Sequence, residues 1–483
     1  MTNREGAGPP DRRAGADVAV VGGGLAGLAA ALTAAAQGLQ VIVLRRGFGA
    51  TAMSSGGLDF PAELPDLYGR ASFTAEDVGE AARLLAGWLG GLAGSPGEAM
   101  SLLDSAGHVR RTALTFERHA AGRLDGWAGA GGAARALFIG MEGFGTFRPE
   151  WAARVAAWRS IVRPGEAAAA RVPVPGLEGE AGLAAARVAR ALEEEGAAER
   201  FGTAVGRIAA REKADLVALP PVLGLERADK VYRAVVGAVR DACGGREVVV
   251  FELLSPPPSL PGWRLQRLLD EAARRAGVRI VSGRVTRPAE VDGSRSATGS
   301  GGAAAVGAGA LLSSLEVDSH GRVWTLEARD FVLASGRFAA GGLEARGRTL
   351  CEPVFGLTVH APPPPGWPPR PVPAGSRSVP EMVWDRFRAR HPVFDAGLAV
   401  DEELRPVDEE GRPVFNNLRA AGSVIGGYNH LTDGAGSGVA ATTGVRAGRL
   451  AAERLGARKP LAGGPGARDL AAAPPAGERR AES

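Results

Sequence analysis

The sequence predicts an α/β fold with a parallel sheet and a second α/β (α+β) domain inserted into it. Two observations support this prediction. A strand, a glycine-rich turn, an Ala/Leu-rich helix and another strand follow one another over residues 17–44. Much later, the apolar segment 331–336 ends in small residues, and residues 433–438 form a second glycine-rich helix start. Strand–helix–strand units build parallel sheets, so the predicted class is the Rossmann-like FAD/NAD(P)-binding fold.

The first turn has the spacing G-x-G-x-x-G inside this strand–helix–strand unit. The first glycine permits a tight turn, the second lets backbone N–H groups approach a phosphate, and the third allows the helix to pack closely on the strand. The N-terminus of the following helix adds the positive end of its dipole. We therefore expect the turn to bind a nucleotide or flavin through Gly22, Gly23, Gly24, Leu25, Ala26 and Gly27.

The second strand ends in Arg45 and Arg46, where this fold ordinarily has an acid that holds the adenosine ribose. The sequence shows no acid in reach of this position. An arginine here suits the 2′-phosphate of NADP or the phosphate of a flavin that has no adenosine, and it also fits a solvated surface charge. We include Arg45 among the expected cofactor-binding residues.

Three further segments have the small residues and backbone amides that a flavin site needs. The loop after the second strand offers hydroxyls and bare amides, and strand ends at the carboxyl edge of a parallel sheet line its ligand crevice. The second glycine-rich helix start presents a positive dipole end, which suits the flavin edge that gains negative charge on reduction. The expected cofactor-binding residues of these segments are Ser54, Ser55, Gly56, Gly57, Ala334, Ser335, Gly336, Gly422, Ser423, Gly434, Ala435, Gly436 and Gly438.

Periodicity and turn residues divide the chain into two units. We expect a discontinuous nucleotide-binding unit over 14–110 and 245–456, and an inserted unit over 111–244. Residues 292–310 are nearly all Gly, Ala and Ser and predict a flexible hairpin tip, and 457–483 predicts a disordered tail. The pattern also predicts helices over 75–105, 148–160, 182–195 and 264–275, and strands over 136–144, 216–224, 247–254 and 277–281.

The composition is that of a globular protein long enough for two or three domains, with 483 residues, 45% hydrophobic and 23% charged. The net charge of +4 is too small to indicate a nucleic-acid partner. The two cysteines, Cys243 and Cys351, lie too far apart for a metal-ligand spacing, so we expect neither a metal site nor an iron–sulfur cluster. The start lacks an apolar signal core, and no apolar run reaches the roughly 18 residues of a membrane span. These features predict a cytoplasmic chain without a transmembrane segment.

Several motifs resemble a family of two-dinucleotide-binding-domain flavoproteins, the B subunit of anaerobic glycerol-3-phosphate dehydrogenase. The resemblance covers most of residues 16–455. Its most specific parts are the Phe-Ala-Ala-Gly-Gly-Leu and Gly-Ser-Val-Ile-Gly-Gly stretches. The motifs are Ser54-Ser-Gly-Gly-Leu-Asp-Phe60, Leu219-Pro-Pro-Val-Leu-Gly224, Gly262-Trp-Arg-Leu-Gln266, Leu333-Ala-Ser-Gly-Arg-Phe-Ala-Ala-Gly-Gly-Leu343, Glu352-Pro-Val-Phe-Gly-Leu357, Leu404-Arg405-Pro406 and Ala421-Gly-Ser-Val-Ile-Gly-Gly427.

The resemblance implies a flavin subunit that carries FMN, with FAD as the alternative. It implies two partners, an FAD-bearing catalytic A subunit and an iron–sulfur, membrane-associated C subunit, which would attach the chain to the inner face of the cell membrane. The complex would oxidise sn-glycerol 3-phosphate to dihydroxyacetone phosphate and pass electrons toward quinone in anaerobic respiration. The arginine at the ribose position agrees with FMN, which has no adenosine.

No residue is assigned to catalysis from the sequence. His430 is a candidate base and Arg337 a candidate phosphate or crevice residue, while the other cations that suit a phosphate are Arg118, His119, Arg148 and Arg227. Two other functions stay open. A stand-alone FAD-dependent dehydrogenase of the fumarate reductase or ketosteroid dehydrogenase type would act without partners, and a non-redox assembly subunit would be colourless.

Overall fold

The computed structural model describes residues 13–68, 71–126, 134–162, 165–257, 259–292, 308–364, 371–386 and 389–457. The helices in these ranges are α1 (Leu25–Ala36), α2 (Ala75–Leu89), α3 (Glu117–Ala120), α4 (Pro149–Trp158), α5 (Ala185–Ala191), α6 (Ala197–Arg211), α7 (Ala228–Ala242), α8 (Leu260–Arg275) and α9 (Gly436–Arg454). None of these described helices is long and apolar enough to cross a membrane.

The strands in the same ranges are β1 (Arg13–Val21), β2 (Val41–Arg45), β3 (Gly57–Leu58), β4 (Leu92–Gly94), β5 (Met100–Leu103), β6 (Val109–Thr112), β7 (Leu114–Phe116), β8 (Ala136–Met141), β9 (Ala167–Val172), β10 (Leu216–Leu219), β11 (Val249–Glu252), β12 (Arg279–Ser282), β13 (Arg284–Asp292), β14 (Leu311–Ser319), β15 (Arg322–Leu333), β16 (Glu344–Arg346), β17 (Thr349–Cys351), β18 (Val359–Ala361), β19 (Val372–Pro373), β20 (Gly397–Leu398) and β21 (Leu418–Ala420).

The larger sheet has the strand order β12-β2-β1-β15-β14-β13, and β21 pairs with the end of β15. Strands β12, β2, β1, β15 and β21 are parallel, with Val21 level with Leu44 and Leu333, and Leu333 level with Ala420. Five strands therefore end at one edge of the sheet, which gathers the segments that follow them from distant parts of the sequence.

Helices α1 and α9 pack closely against each other beside this sheet. Small residues make the contact possible, because a Cβ at Gly444 would lie 2.4 Å from the carbonyl oxygen of Ala26, and one at Gly448 would lie 2.4 Å from that of Ala30. The starts of both helices are thereby held near the same part of the sheet.

A second sheet, with the order β11-β10-β8-β9, is parallel throughout and has its own hydrophobic core. Its last strand, β11, pairs with β10, so the expected boundary at 244 falls short of this strand. The physical reason is that an apolar strand joins whichever sheet offers it a partner, and this choice is not encoded locally. We keep the division into two units as a proposal, with the inserted unit extended to Glu252.

Local backbone and capping features explain where the observed helix boundaries differ from the predicted ones. The helix expected over 75–105 ends at Leu89, because Gly90 and Gly91 adopt φ angles of +65° and +93°. Helix α8 begins at Leu260, earlier than expected, because the Ser259 hydroxyl accepts a hydrogen bond from the Gly262 N–H at 3.0 Å. Strands β13 and β14 form the hairpin that flanks 292–310, whereas 293–307 and 458–483 lie outside the described residues.

Candidate functional site

The first glycine turn is built by close contacts that only glycine allows. Gly22 has a φ of +116°, and a Cβ there would lie 2.1 Å from the carbonyl oxygen of Ala334 at the end of β15. A Cβ at Gly27 would lie 1.9 Å from the carbonyl oxygen of Gly22. The first and third glycines thus fix α1 against the sheet.

The second glycine leaves the start of α1 uncovered by a capping side chain. Gly24 is the residue before the helix and has no side chain that could accept from the first N–H groups. Thr51 compensates at one of them, since its Oγ1 accepts from the Leu25 N–H at 2.9 Å. A Cβ at Gly24 would lie 3.2 Å from that hydroxyl oxygen. Thr51 lies outside the glycine motif in the sequence and reaches the turn from a short 3₁₀ helix over Ala50–Met53.

The ends of β15 and β21 lie beside this turn, as expected. The Ala334 N–H donates to the carbonyl of Val21, and the Ala421 N–H donates to the carbonyl of Leu333. The Ser335 hydroxyl oxygen is buried and has no hydrogen-bond partner among the described residues. A buried hydroxyl without a partner loses hydrogen-bond free energy, so this position suits a ligand with a donor or acceptor.

Gly422 and Ser423 join the same edge. A Cβ at Gly422 would lie 2.6 Å from the Ala26 Cβ, and its N–H donates to the Thr443 hydroxyl of α9 at 2.8 Å. A Cβ at Gly336 would lie 3.8 Å from the Ser423 hydroxyl. The structure therefore brings together the expected residues of the first turn, of β15 and of β21.

The Ser54–Gly57 loop is fixed by its own carbonyl groups. The carbonyl of Ser54 accepts from the Ser259 hydroxyl, that of Ser55 from the Ser255 N–H at 3.0 Å, and that of Gly56 from the Thr115 hydroxyl at 2.7 Å. The loop is therefore held between the two sheets, because residues that follow β11 supply two of the three donors.

The start of α9 contacts the chain just after this loop. The Gly438 N–H donates to the carbonyl of Asp59 at 2.8 Å, and a Cβ at Gly436 would lie 3.8 Å from the His430 Cβ. Ala435 precedes the helix without a side-chain cap. Gly434, Ala435, Gly436 and Gly438 thus form an uncapped helix start next to His430, and a Cβ at Gly434 would have no described atom within 4 Å.

The structure corrects the expectation that no acid reaches Arg45. Asp270, which is 225 residues away in sequence, accepts from the Arg45 Nη1 at 2.8 Å. It does so from α8, whose following strand β12 pairs with β2. Arg45 is at the expected strand end, but its guanidinium is already paired, so it is not a free cation for a phosphate.

Arg337 is a structural residue in this fold. Its guanidinium donates to the carbonyls of Ser423 at 2.8 Å and Ile425 at 2.8 Å, and also to those of Phe394 and Tyr428. The side chain is almost completely buried. With these donors engaged by backbone, Arg337 holds two loops together and has little capacity left to bind a phosphate.

His430 is half-buried beside the start of α9. Burial, together with the charge of Arg337, lowers the pKa of His430 to about 4. The imidazole is therefore neutral at neutral pH, and its Nδ1 is buried without a hydrogen-bond partner in the described part of the chain. A neutral imidazole can accept a hydrogen bond, but the same burial and charge that lower its pKa disfavour its taking up a proton, so the base role of His430 stays a prediction.

Arg118 and His119, two of the phosphate candidates, belong to a buried ionic cluster between the two sheets. The Glu252 carboxylate accepts from Arg264 Nη1 at 2.9 Å, and its Oε2 lies 3.0 Å from Arg118 Nε. The backbone carbonyl of Glu252 contacts His119 Nδ1 at 3.0 Å. Burial tends to raise the pKa of Glu252, but Arg264, His119 and Arg118 together hold it below its ordinary value.

The remaining phosphate candidates lie elsewhere. Arg148 is exposed at the start of α4. Arg227 precedes α7, where the Glu193 carboxylate already accepts from the N–H groups of Leu225, Glu226 and Arg227. A cavity of about 420 Å³ lies beside this helix start in the second unit, but none of the expected cofactor-binding residues lines it.

Comparison with known proteins agrees with this geometry. The family model described as an FAD binding domain matches residues 17–73 and 68–439. A protein of Halobacterium salinarum, named as the probable B subunit of an anaerobic glycerol-3-phosphate dehydrogenase, is 29% identical over 91% of this chain and 98% of its own length. The B subunit of the anaerobic glycerol-3-phosphate dehydrogenase of Yersinia pestis is 28% identical over 89% of this chain and 96% of its own length.

Among solved structures, 3-ketosteroid-Δ4-(5α)-dehydrogenase from Rhodococcus jostii RHA1 is 16% identical, covering 93% of this chain and 98% of that chain with a TM-score of 0.33. A TM-score of this size does not support assigning the chain to a family. The assignment rests on the family model, which spans most of the chain and includes both glycine-rich helix starts. The chain therefore belongs to the FAD binding domain family of flavoproteins.

Proposed function

We propose that this chain is the flavin-bearing B subunit of an anaerobic glycerol-3-phosphate dehydrogenase complex. It would contribute to the oxidation of sn-glycerol 3-phosphate to dihydroxyacetone phosphate, with electrons passed toward quinone. The observation that supports this most is the match to relatives of that name, each of which is aligned over nearly its whole length. The proposed partners are an FAD-bearing A subunit and an iron–sulfur, membrane-associated C subunit.

The residues at the carboxyl edge of the larger sheet fit a flavin. The uncapped start of α1 offers backbone N–H groups and a positive dipole end to a phosphate. The Ser335 hydroxyl, which is buried and has no partner in the described part of the chain, and the start of α9, which has no side-chain cap, lie along the same set of loops. When bound, the flavin would supply the two-electron acceptor, and these residues would bind and orient it.

The charges near His430 favour a relay role for this chain over substrate oxidation. Arg337 is engaged by backbone carbonyls, and Arg390 is paired with both Asp395 and Asp433. Oxidising glycerol 3-phosphate requires cations for the phosphate as well as a base. Because the described cations beside His430 are already paired, we propose that the catalytic partner binds the substrate while this chain holds a flavin that passes electrons on.

The identity of the flavin depends on whether the chain holds an adenosine ribose. The resemblance to the glycerol-3-phosphate dehydrogenase B subunits implies FMN, and the description of the family names FAD. The argument for FMN from a missing acid no longer applies, because Asp270 stands beside Arg45.

The test is to express the chain alone and together with its neighbouring gene products, and to assay quinone reduction by sn-glycerol 3-phosphate. We expect activity only in the co-expressed complex. A complex containing Gly24→Val should assemble but lose most of its activity, since that variant would empty the flavin site of this chain alone. Full activity of the isolated chain would indicate a stand-alone dehydrogenase. Full activity of a complex whose Gly24→Val chain has lost its flavin would indicate a non-redox assembly subunit.

A further inference from the structure

Two tryptophans of α4 are largely exposed in the second unit. Trp151 is 55% exposed and Trp158 is 80% exposed, whereas tryptophan is on average a highly buried residue. The helix does not need either indole to pack, because its other side is already buried. The buried residues are Pro149, Ala152, Ala153, Val155 and Ala156. Both rings are therefore available for contact with something outside this chain.

Trp151, Arg154 and Trp158 form one face of this helix, the α4 face. Their spacing of three and then four residues places successive side chains next to one another on a helix surface. The two indoles lie two turns apart, which is about 10 Å along the helix axis. Arg154 is exposed between them. The face therefore presents an aromatic ring, a cation and a second aromatic ring in a row.

The charge around the α4 face is positive and largely unpaired. Arg154 and Arg159 are exposed, and neither guanidinium forms a hydrogen bond or an ion pair with another described residue. Arg148 is exposed at the start of the helix. The acid among these residues, Glu150, is already held by Arg171 at 2.9 Å. An occupant of this face must therefore carry negative charge, which argues against the same face of a second copy.

The size of the α4 face favours a membrane surface over a partner protein. The helix has ten residues, so the face is about 15 Å long and about 10 Å wide. A stable protein interface buries about 800 Å² on each partner, which is much more than this strip provides. A bilayer makes no such demand, because tryptophan rings settle at the level of the lipid headgroups. Arginines beside them are attracted to the negative surface potential of anionic lipids.

We propose that α4 contacts an anionic membrane surface directly, with Trp151 and Trp158 at the level of the lipid headgroups and Arg154 and Arg159 beside anionic lipids. The proposal goes beyond the proposed function and does not rest on it, because the contact needs neither a flavin nor a second subunit. It also differs from attachment through the proposed C subunit, since the contact is made by side chains of this chain.

The experiment measures cosedimentation of the purified full chain with vesicles. One set of vesicles contains equal parts of phosphatidylglycerol and phosphatidylcholine, and the other contains phosphatidylcholine alone. Two double variants remove the aromatic rings (Trp151→Ser with Trp158→Ser) and the charges (Arg154→Gln with Arg159→Gln). The control for the first is Trp384→Ser, because Trp384 is 48% exposed and lies outside α4. The control for the second is Arg190→Gln with Arg207→Gln, two exposed arginines of α5 and α6.

We expect wild-type protein to bind the anionic vesicles at least about tenfold more tightly than the neutral ones. The double arginine variant should lose about 30-fold in affinity for anionic vesicles, the effect of two cations near an anionic surface. The double tryptophan variant should lose about tenfold on both kinds of vesicle, because the insertion of the rings does not depend on lipid charge. Both controls should stay within about twofold of wild type.

Three outcomes would overturn the inference while the proposed function stands, because none of them involves flavin content or quinone reduction. Wild-type protein that does not bind anionic vesicles would do so without any variant. Binding that is equal for wild type and both α4 double variants would show that another surface contacts the lipid. Loss of vesicle binding by the controls to the same extent as by the α4 variants would show that the effect is not specific to this face.

Discussion

Burial gives Arg337 and His430 different roles although they are close together. The guanidinium of Arg337 donates to carbonyls of the loops around Phe394 and Ile425, which makes it a structural centre. His430 keeps a buried nitrogen with no hydrogen-bond partner among the described residues, and its pKa, lowered to about 4, makes it neutral at neutral pH. Both residues are notable in the sequence as polar groups at loop positions, but only the packing around them separates the two roles.

Arg337→Met tests the structural role. The variant leaves buried carbonyl oxygens without donors, so we expect the free energy of unfolding to fall by about 2–4 kcal/mol. Denaturant unfolding measures this change. The flavin content per folded molecule should stay close to that of wild type. An Arg337→Met protein with unchanged stability and lost activity would instead indicate a direct role in the reaction.

His119 predicts a specific pH dependence of stability. Burial lowers the pKa of His119 from 6.5 to about 4, with Glu252 acting against the shift and Arg118 and Arg264 acting with it. The unfolded chain therefore binds the proton more readily than the folded protein. Stability is complete above pH 6.5 and is lost as the pH falls from 6.5 toward 4, by about 3 kcal/mol at 1.36 kcal/mol per pKa unit.

His119→Asn should reduce this slope, because asparagine does not titrate. Unfolding free energies measured between pH 7 and pH 4 provide the comparison, each variant being referred to its own value at pH 7. Part of the slope should remain, since the lowered pKa of His430 acts in the same direction. Identical slopes in wild type and His119→Asn would contradict a buried, neutral His119.

At the scale of elements, the parts of the site that could be predicted are those with local signals. Glycine spacing and small residues mark several of these parts in the sequence. They are the turn at Gly22–Gly27, the strand ends at Ala334 and Gly422, and the start of α9. Asp270, which pairs with Arg45, and Gln266, whose Nε2 donates to the carbonyl of Gly23 at 2.8 Å, could not be placed in this way, because α8 reaches the turn through the pairing of β12 with β2. Their spacing of four residues on one helix is the only local signal that links them.

Substitutions at two glycines of the first turn should affect stability and flavin binding differently. At Gly24 a Cβ would meet only the Thr51 hydroxyl, at 3.2 Å, and the backbone is extended. We expect Gly24→Val to lose less than about 1 kcal/mol of stability but to lose its flavin. At Gly27 a Cβ would collide with the carbonyl of Gly22, so Gly27→Ala should lose about 3 kcal/mol.

Flavin absorbance measures the flavin content of purified Gly24→Val and Gly27→Ala proteins, and their denaturant midpoints measure their stability. The comparison is internal, because the two glycines are three residues apart in the same turn. A Gly24→Val protein with full flavin content would exclude this turn as the phosphate site.

At the scale of the whole molecule, the cluster around Glu252 connects the two sheets. It combines Arg264 of α8, Arg118 and His119 of the segment after β7, and the loop after β10, whose Leu223 N–H donates to Glu252 at 2.7 Å. Two motifs that the sequence resemblance singled out, at 219–224 and 262–266, meet at this carboxylate. The motifs are recognisable in the sequence, but their contact depends on the fold.

Glu252→Gln should therefore weaken the whole molecule. Removing the charge leaves Arg118 and Arg264 buried without their shared partner, and breaking a buried ion pair in this way costs about 3–5 kcal/mol. Asp408→Asn is a suitable control, because Asp408 pairs with Arg412 at the exposed surface and should change stability by less than about 1 kcal/mol. Equal stability of Glu252→Gln and wild type would show that the cluster does not hold the two sheets together.

The most direct test of the account is the flavin content of the wild-type chain as purified, read from its visible spectrum and from chromatography of the flavin released on denaturation. We expect close to one flavin per chain, because the chain belongs to the FAD binding domain family. A colourless protein, purified both alone and with the proposed partner subunits, would contradict the central claim that this chain is a flavoprotein.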